Sequence, residues 1–362
     1  MMRESPYITW AKSLPTVEFP LAASGVPPCT LSEIGAEPDA PLTERNDNGW
    51  PPLVARLAAR YDVPVSSVVV AAGTSMANHL AMATFLSRGD HVLVEHPFYD
   101  PLALVPPLWG ATVGFFQRRS SAGYQLDLDA IAGALTPSTR LVVVSNMHNP
   151  TGALAKDDDL RALAELAERR GFHVLVDEVY REWVHGTGTG DGTRSAANIS
   201  PRMIVTSSVT KVWGLGGLRI GWILAEPALG NRMQRFAALF DNNPPHPSER
   251  LAARALDRSD AIIGTRRALV TANRAILAAW VQATPGVEWV EPAAGAVGWV
   301  NLGIGDTTPF VDRLARECGT TVVPGHFFGA ADHVRVGLGT NSTVLQHGLQ
   351  RIASLLARGD RA

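Results

Sequence analysis

The sequence predicts an α/β fold: a large domain with a mostly parallel sheet covered by helices on both faces, plus a smaller α+β domain formed by the C-terminal part and the N-terminal arm. Three observations carry that expectation. Short β-branched runs alternate with helical stretches between residues 53 and 225, the pattern of strands buried on both faces and joined by crossover helices. A Pro- and Asn-rich break, DNNPPHP at 241–247, then ends the alternation. At 362 residues the chain is too long for one small core and suits a large domain with a second beside it.

The first 45 residues are rich in Pro, Gly and Ser and read as an arm with little regular structure. Helical patterning begins at 53–58. The run 68–71 is a strand, followed by Gly73-Thr74-Ser75 and a helical stretch over 76–86. Residues 91–95, 112–116 and 141–145 read as further strands. A charged helix follows at 157–170, with Leu160, Leu163, Ala164 and Ala167 on one face and Gly171 as its stop. Three more strand-like runs, 173–176, 203–207 and 220–225, complete the first pattern. Beyond the break a long helical region spans 248–282, and an α+β part with strands near 299–302 and 333–336 runs to the end. The domain reading is an arm at 1–45, a large domain at 46–240, and a linking helix with a small domain at 241–362.

Composition narrows the function. Apolar residues make up 46% and charged residues 18%, the balance of a globular chain rather than a disordered one. No apolar run approaches the ~18 residues of a membrane span, and the N-terminus lacks the layout of a signal peptide. A net charge of −2 gives no electrostatic basis for binding nucleic acid or a membrane surface. Cys29 and Cys318 form no CxxC pattern and read as reduced thiols of a cytoplasmic protein. The ten histidines form no ligand-spaced cluster, so no metal is expected. Of 32 basic residues only Lys12, Lys156 and Lys211 are lysines. Arginine cannot replace a lysine that must lose its proton to act as a nucleophile.

In such sheets ligands bind beyond the carboxyl ends of strands, and four strand ends carry conspicuous polar groups. Gly73-Thr74-Ser75 opens a helix; its free N–H groups and hydroxyls suit a phosphate or serve as an ordinary helix cap. Asn149-Pro150-Thr151-Gly152 reads as a turn. Asp177, in DEVY, ends a buried strand, where an acid is costly unless paired; it reads as a helix cap or as the partner of a pyridine nitrogen. Ser208-Val209-Thr210-Lys211 precedes the glycine-rich GLGGLRIG at 214–221. That segment misses the G-x-G-x-x-G spacing of a dinucleotide loop, because Arg219 stands at the third glycine and a strand follows.

Together NPTG (149–152), VDEVY (176–180), SSVTKVWGLGGLRIGW (207–222) and VRVGLG (334–339) resemble, in order, the motifs of the class I/II aminotransferases, pyridoxal-phosphate (PLP) enzymes of fold type I. The resemblance implies that Lys211 holds the cofactor as a Schiff base and that Asp177 pairs with its ring nitrogen. Asn149 and Tyr180 would bond its phenolic oxygen. Gly73, Thr74, Ser75, Ser208 and Arg219 would bind its phosphate, and Tyr99 would stack on its ring. Arg335 would clamp the substrate's α-carboxylate, with Asn149 beside it and Gly25 in the facing loop. It also implies small-molecule amino-acid and 2-oxo-acid substrates and a homodimer with shared active sites. One departure stands out. Where many members carry a tyrosine that reaches the partner's phosphate, this chain reads TERNDN at 43–48 and offers Arg45, Asn46 or Asn48 instead. No second arginine for a dicarboxylate can be placed. The break at 241–246 offers Asn242, Asn243 and His246 to the pocket region, which favours a neutral or polar substrate side chain. The alternative reading is a lyase, cyclase or other Cα-chemistry enzyme of the same fold.

Overall fold

The computed structural model describes residues 4–37, 39–184, 194–240 and 243–359. In chain order the strands are β1 (Phe19–Pro20), β2 (Val68–Ala71), β3 (His91–His96), β4 (Thr112–Gln117), β5 (Thr139–Ser145), β6 (His173–Asp177), β7 (Met203–Ser208), β8 (Gly221–Leu224), β9 (Glu288–Trp289), β10 (Val297–Asn301), β11 (Thr320–Thr321), β12 (Val323–Pro324) and β13 (His333–Gly337). The helices are α1 (Pro6–Ser13), α2 (Leu31–Ile34), α3 (Pro51–Tyr61), α4 (Thr74–Phe85), α5 (Asp100–Leu104), α6 (Leu128–Ala134), α7 (Asp157–Arg170), α8 (Pro227–Ala237), α9 (His246–Asp257), α10 (Ser259–Ala283), α11 (Thr308–Cys318) and α12 (Ser342–Ala357).

The large sheet has the order β2-β8-β7-β6-β5-β3-β4. Pairing is parallel from β4 through β7, and β8 runs against both β7 and β2. β2 therefore points the same way as β7. The carboxyl ends of β2, β5, β6 and β7 share one edge, and so does the entry to β8. Side chains alternate between two cores. Val142, Val144, Val174, Val176 and Val205 belong to one, packed with α3 and α7 residues such as Leu57 and Leu163. Leu141, Val143, Leu175, Ile204 and Ile223 belong to the other, packed with Leu80 and Met82 of α4. Both faces are dry, which is why these strands read as continuous apolar runs rather than alternating ones. α7 matches its sequence reading: Asp157, Asp158 and Asp159 sit in its first turn, Arg169 and Arg170 in its last, and Gly171 caps it at φ 76.

The smaller part holds an antiparallel sheet of order β12-β13-β10-β9 and the β1–β11 pair. Leu21 from the N-terminal segment shares its core with Leu277, Val300, Val336 and Leu349. The fold class predicted from sequence is the one observed.

Three details differ from expectation. The N-terminal segment is more regular than an irregular arm. Ser5 accepts from Ile8 N–H and Pro6 opens α1, so capping and a fixed φ start a helix despite the polar composition. β1 then pairs with β11. The long helical region after the break is two helices, because Arg258 leaves helical geometry (φ −112, ψ 15) between α9 and α10. The strand expected near 299–302 is β10, Val297–Asn301, placed by pairing with β13 from Val297↔Gly337 to Asn301↔His333. Among the described residues no helix is long and apolar enough to cross a membrane, and none of their His, Cys, Asp and Glu groups is placed to hold a metal ion.

Candidate active site

The shared sheet edge opens into a cavity of about 270 Å³, lined among others by Thr74, Ser75, Tyr99, Asn149, Asp177, Tyr180, Lys211 and Arg219. Four strand ends far apart in sequence converge there because their strands point the same way. Lys12 and Lys156 are exposed, whereas Lys211 lines the cavity. Its Nζ donates to Ser24 Oγ at 2.9 Å. Burial holds this amine below the ordinary lysine range, Tyr7 opposes that shift, and the Arg335 and Arg219 cations reinforce it.

Asp177 ends β6 and is buried. It accepts from Asn78 Nδ2 at 2.8 Å and from Val179 N–H at 3.1 Å. Burial raises its carboxyl, and the Asn78 bond, the Val179 N–H and the Lys211 charge pull the other way. Asn78 is itself fixed by Thr206, whose hydroxyl donates to its Oδ1 at 2.5 Å. A buried carboxylate with two neutral donors and an open cavity beside it fits a cationic ring nitrogen.

The phosphate-suited end is equally specific. Thr74 Oγ1 donates to Ser208 Oγ at 2.7 Å, joining the α4 N-terminus to the end of β7. Arg219 donates to Ala72 O at 3.1 Å and Gly216 O at 3.2 Å. Gly73 has φ +83, and a Cβ there would lie 2.5 Å from Arg219 Nη2; any other residue would displace the guanidinium. The residues present therefore fit PLP: an amine for its aldehyde, an acid for its ring nitrogen, and hydroxyls, a helix N-terminus and a guanidinium for its phosphate.

Asn149 is held from both sides. Its N–H donates to Ser145 Oγ at 3.0 Å, and its Oδ1 accepts from Arg335 Nη1 at 3.1 Å. Ser145 in turn donates from its N–H and its hydroxyl to Glu95, whose other oxygen takes Arg118 at 2.7 Å. Glu95 and Arg118 are both wholly buried. Glu95→Ala would strand the Arg118 charge, so a stability loss of about 3–5 kcal/mol is expected by denaturant titration. A loss below about 1 kcal/mol would mean that this pair does not anchor the Asn149 loop.

Of the residues expected from sequence, Gly25 does not line the cavity; its neighbour Ser24 does. Gly25 O instead lies against Gly339, where a Cβ would approach it to 1.9 Å. Arg335 lies behind the lining, bound to Asn149 and Tyr7. In the 43–48 segment Asn46 is buried and committed within its own chain, to Glu249 at 2.6 Å and Pro244 O at 2.7 Å, while the exposed Arg45 pairs with Asp47. Asn243 reaches Asn46, and His246 packs on Trp50; neither lines the cavity. Asn242 lies outside the described residues. Sequence reasoning missed Tyr7, Ser24 and Asn78.

A family model described as "Aminotransferase class I and II" matches residues 48–352. The chain belongs to that family. This aminotransferase is 30% identical over 315 residues to capreomycidine synthase of Streptomyces vinaceus, covering 85% of this chain and 80% of that one. It is 28% identical over 296 residues to the arginine–pyruvate transaminase AruH of Pseudomonas aeruginosa, covering 80% and 75%. A PLP-dependent aminotransferase structure from Streptococcus suis superposes with a TM-score of 0.91 at 24% identity, covering 98% of each chain. Membership makes this chain a PLP-dependent transferase, in agreement with the fit of the cavity.

Proposed function

We propose that the enzyme moves the amino group of an L-amino acid to a 2-oxo acid, with Lys211 holding the cofactor and carrying the Cα proton. The observation that carries this reading is one cavity that brings a buried amine, a buried carboxylate and a phosphate-suited helix end together. When bound, PLP supplies a protonated ring that accepts electrons as the Cα–H bond breaks. Asp177, braced by Asn78, keeps that ring's nitrogen protonated. Lys211, whose pKa burial and nearby guanidinium groups hold below the ordinary lysine range, takes the proton from the substrate's Cα and hands it on within the site. Tyr180 and Asn149 orient the ring. Tyr99, which lines the same cavity, would cover its face. Gly73, Thr74, Ser75, Ser208 and Arg219 hold the phosphate.

Arg335 binds the α-carboxylate, since its planar fork matches two oxygens. Arg335→Lys should raise KM for the amino acid by about 10–100-fold and change kcat less; an unchanged KM would place the carboxylate elsewhere. A homodimer in the cytoplasm completes the proposal. It is supported by the habit of the family, by the free thiols Cys29 and Cys318, and by a groove of about 630 Å³ whose lining includes Leu31, Leu42, Trp50 and Pro52.

The kinship with a protein named as a synthase favours a second reading, another reaction at Cα. One experiment separates them. Holoenzyme is mixed with single amino acids and no oxo acid. A transaminase converts its cofactor to the pyridoxamine form with donor alone; release of oxo acid and ammonia without that conversion would refute the proposal.

A further inference from the structure

We propose that Tyr7 is a binding and positioning group for the substrate's α-carboxylate: fixed on α1 by Asp100, its hydroxyl braces the Arg335 guanidinium and donates a hydrogen bond to the carboxylate. This rests on the aminotransferase reading above and adds a residue from a segment that the motifs do not reach.

Arg335 is wholly buried, yet nothing in the fold neutralises it by a direct carboxylate contact among the described residues. Its Nη1 donates to Asn149 Oδ1 at 3.1 Å, and its Nη2 donates to Tyr7 Oη at 2.6 Å and to Ala22 O at 3.4 Å. Its Nε is buried with no acceptor. The guanidinium carbon lies 5.2 Å from the Tyr7 ring centroid and 4.9 Å from that of Phe328, beside a pair of rings whose own centroids are 5.6 Å apart. Tyr7 is buried as well, and its hydroxyl has one described bond, as acceptor. The phenol proton, on a side chain that lines the cavity, and Arg335 Nε, on the guanidinium behind that lining, are thus two donors with no described acceptor. Buried donors left open are costly unless a ligand takes them. A carboxylate in the cavity supplies the acceptor that the Tyr7 hydroxyl lacks.

The placement of Tyr7 is built in. Asp100, at the start of α5, accepts from the Ser5 hydroxyl at 2.6 Å and from the Tyr7 N–H at 3.1 Å. One carboxylate oxygen therefore takes both the N-cap side chain and a backbone donor of the first turn, which fixes α1 against the large sheet's flank. The same helix turns Ile8 and Ala11 to the cavity beside Tyr7, three positions that share an arc of about 100° on the helix surface. Edge contact of Tyr7 with Tyr99, at 5.9 Å and 77°, locks the ring further. Because the hydroxyl is already in place before substrate arrives, little ordering is lost on binding.

The test uses holoenzyme and two small probes read by the spectral change of the bound cofactor. Propionate carries a carboxylate; ethylamine, which is alanine without its carboxyl group, does not. Tyr7→Phe keeps the ring and its packing. It should weaken propionate binding about tenfold and change ethylamine binding less than about twofold. Asp100→Ala, which touches neither probe, should show the same selective loss, because α1 is no longer held. Equal loss for both probes, or propionate affinity in Tyr7→Phe within about twofold of wild type, would overturn the proposal. The underlying reading fails separately: it falls if wild-type protein holds no cofactor, or if Arg335→Lys leaves propionate binding unchanged.

Discussion

Lys211→Arg is expected to abolish turnover, by at least about 10⁴-fold, since on the proposed mechanism it removes both the covalent anchor of the cofactor and the group that carries the proton. Arginine keeps a long basic side chain of similar reach but cannot act as a neutral amine, so the fold should survive and the loss be chemical. The measurement pairs steady-state rates with borohydride reduction followed by peptide mass analysis. Wild type should carry the cofactor on the peptide containing Lys211, and neither exposed lysine, Lys12 nor Lys156, should be labelled. The pH dependence of cofactor uptake by the apo-protein has a definite sign. Only the neutral amine attacks an aldehyde, and burial lowers the Lys211 pKa. Uptake should therefore rise with pH and level off below the range of an ordinary lysine. A label on Lys12 or Lys156, or a plateau at the ordinary lysine range, would contradict the assignment.

The second large effect is expected for Asp177→Asn. The amide fills the same space and can keep the Val179 bond, but it carries no charge to hold a ring nitrogen protonated. Loss of one member of a buried charge pair costs about 3–5 kcal/mol, so kcat should fall by roughly 10²–10³-fold or more. Half of the new side chain would also face the Asn78 amide with the wrong polarity, since Asn78 Nδ2 now donates to Asp177 at 2.8 Å. Cofactor affinity should fall with kcat. Unchanged kcat and cofactor binding would mean that Asp177 is only a structural acid.

Strand residues were legible because both faces of the large sheet are dry, which leaves β-branched runs such as 141–145 with no polar interruption. The main site residues were legible for a related reason: a polar group directly after such a run, Asp177 or Lys211, has no role in the core. The rest was hidden by its local context. Asn78 lies inside an apolar helical stretch and reads as a helix residue; only pairing with Thr206 and Asp177 reveals its purpose. Tyr7 lies in a segment whose composition suggested irregular chain, although the Ser5-Pro6 step is a helix-start signal. The break at Arg258 carries no Gly or Pro and left no mark. Gly25 was one residue from Ser24, the side chain that reaches the amine, because a single sequence does not fix which of two small residues points inward.

The segment between β7 and β8 has a consequence of its own. Ser208 pairs with Gly221, and Val209 N–H reaches Ile220 O at 3.2 Å, so the loop is closed at its neck like a drawn purse. The backbones carrying the amine on one leg and the guanidinium on the other are indexed to each other by strand register. A shift of the smaller sheet would carry Arg335 with it and leave the Lys211–Arg219 spacing as it was. On the proposed roles, tailoring this enzyme to a new amino acid thus need not disturb how it grips its cofactor, provided that the neck and the ten residues it encloses are transplanted or preserved as one piece.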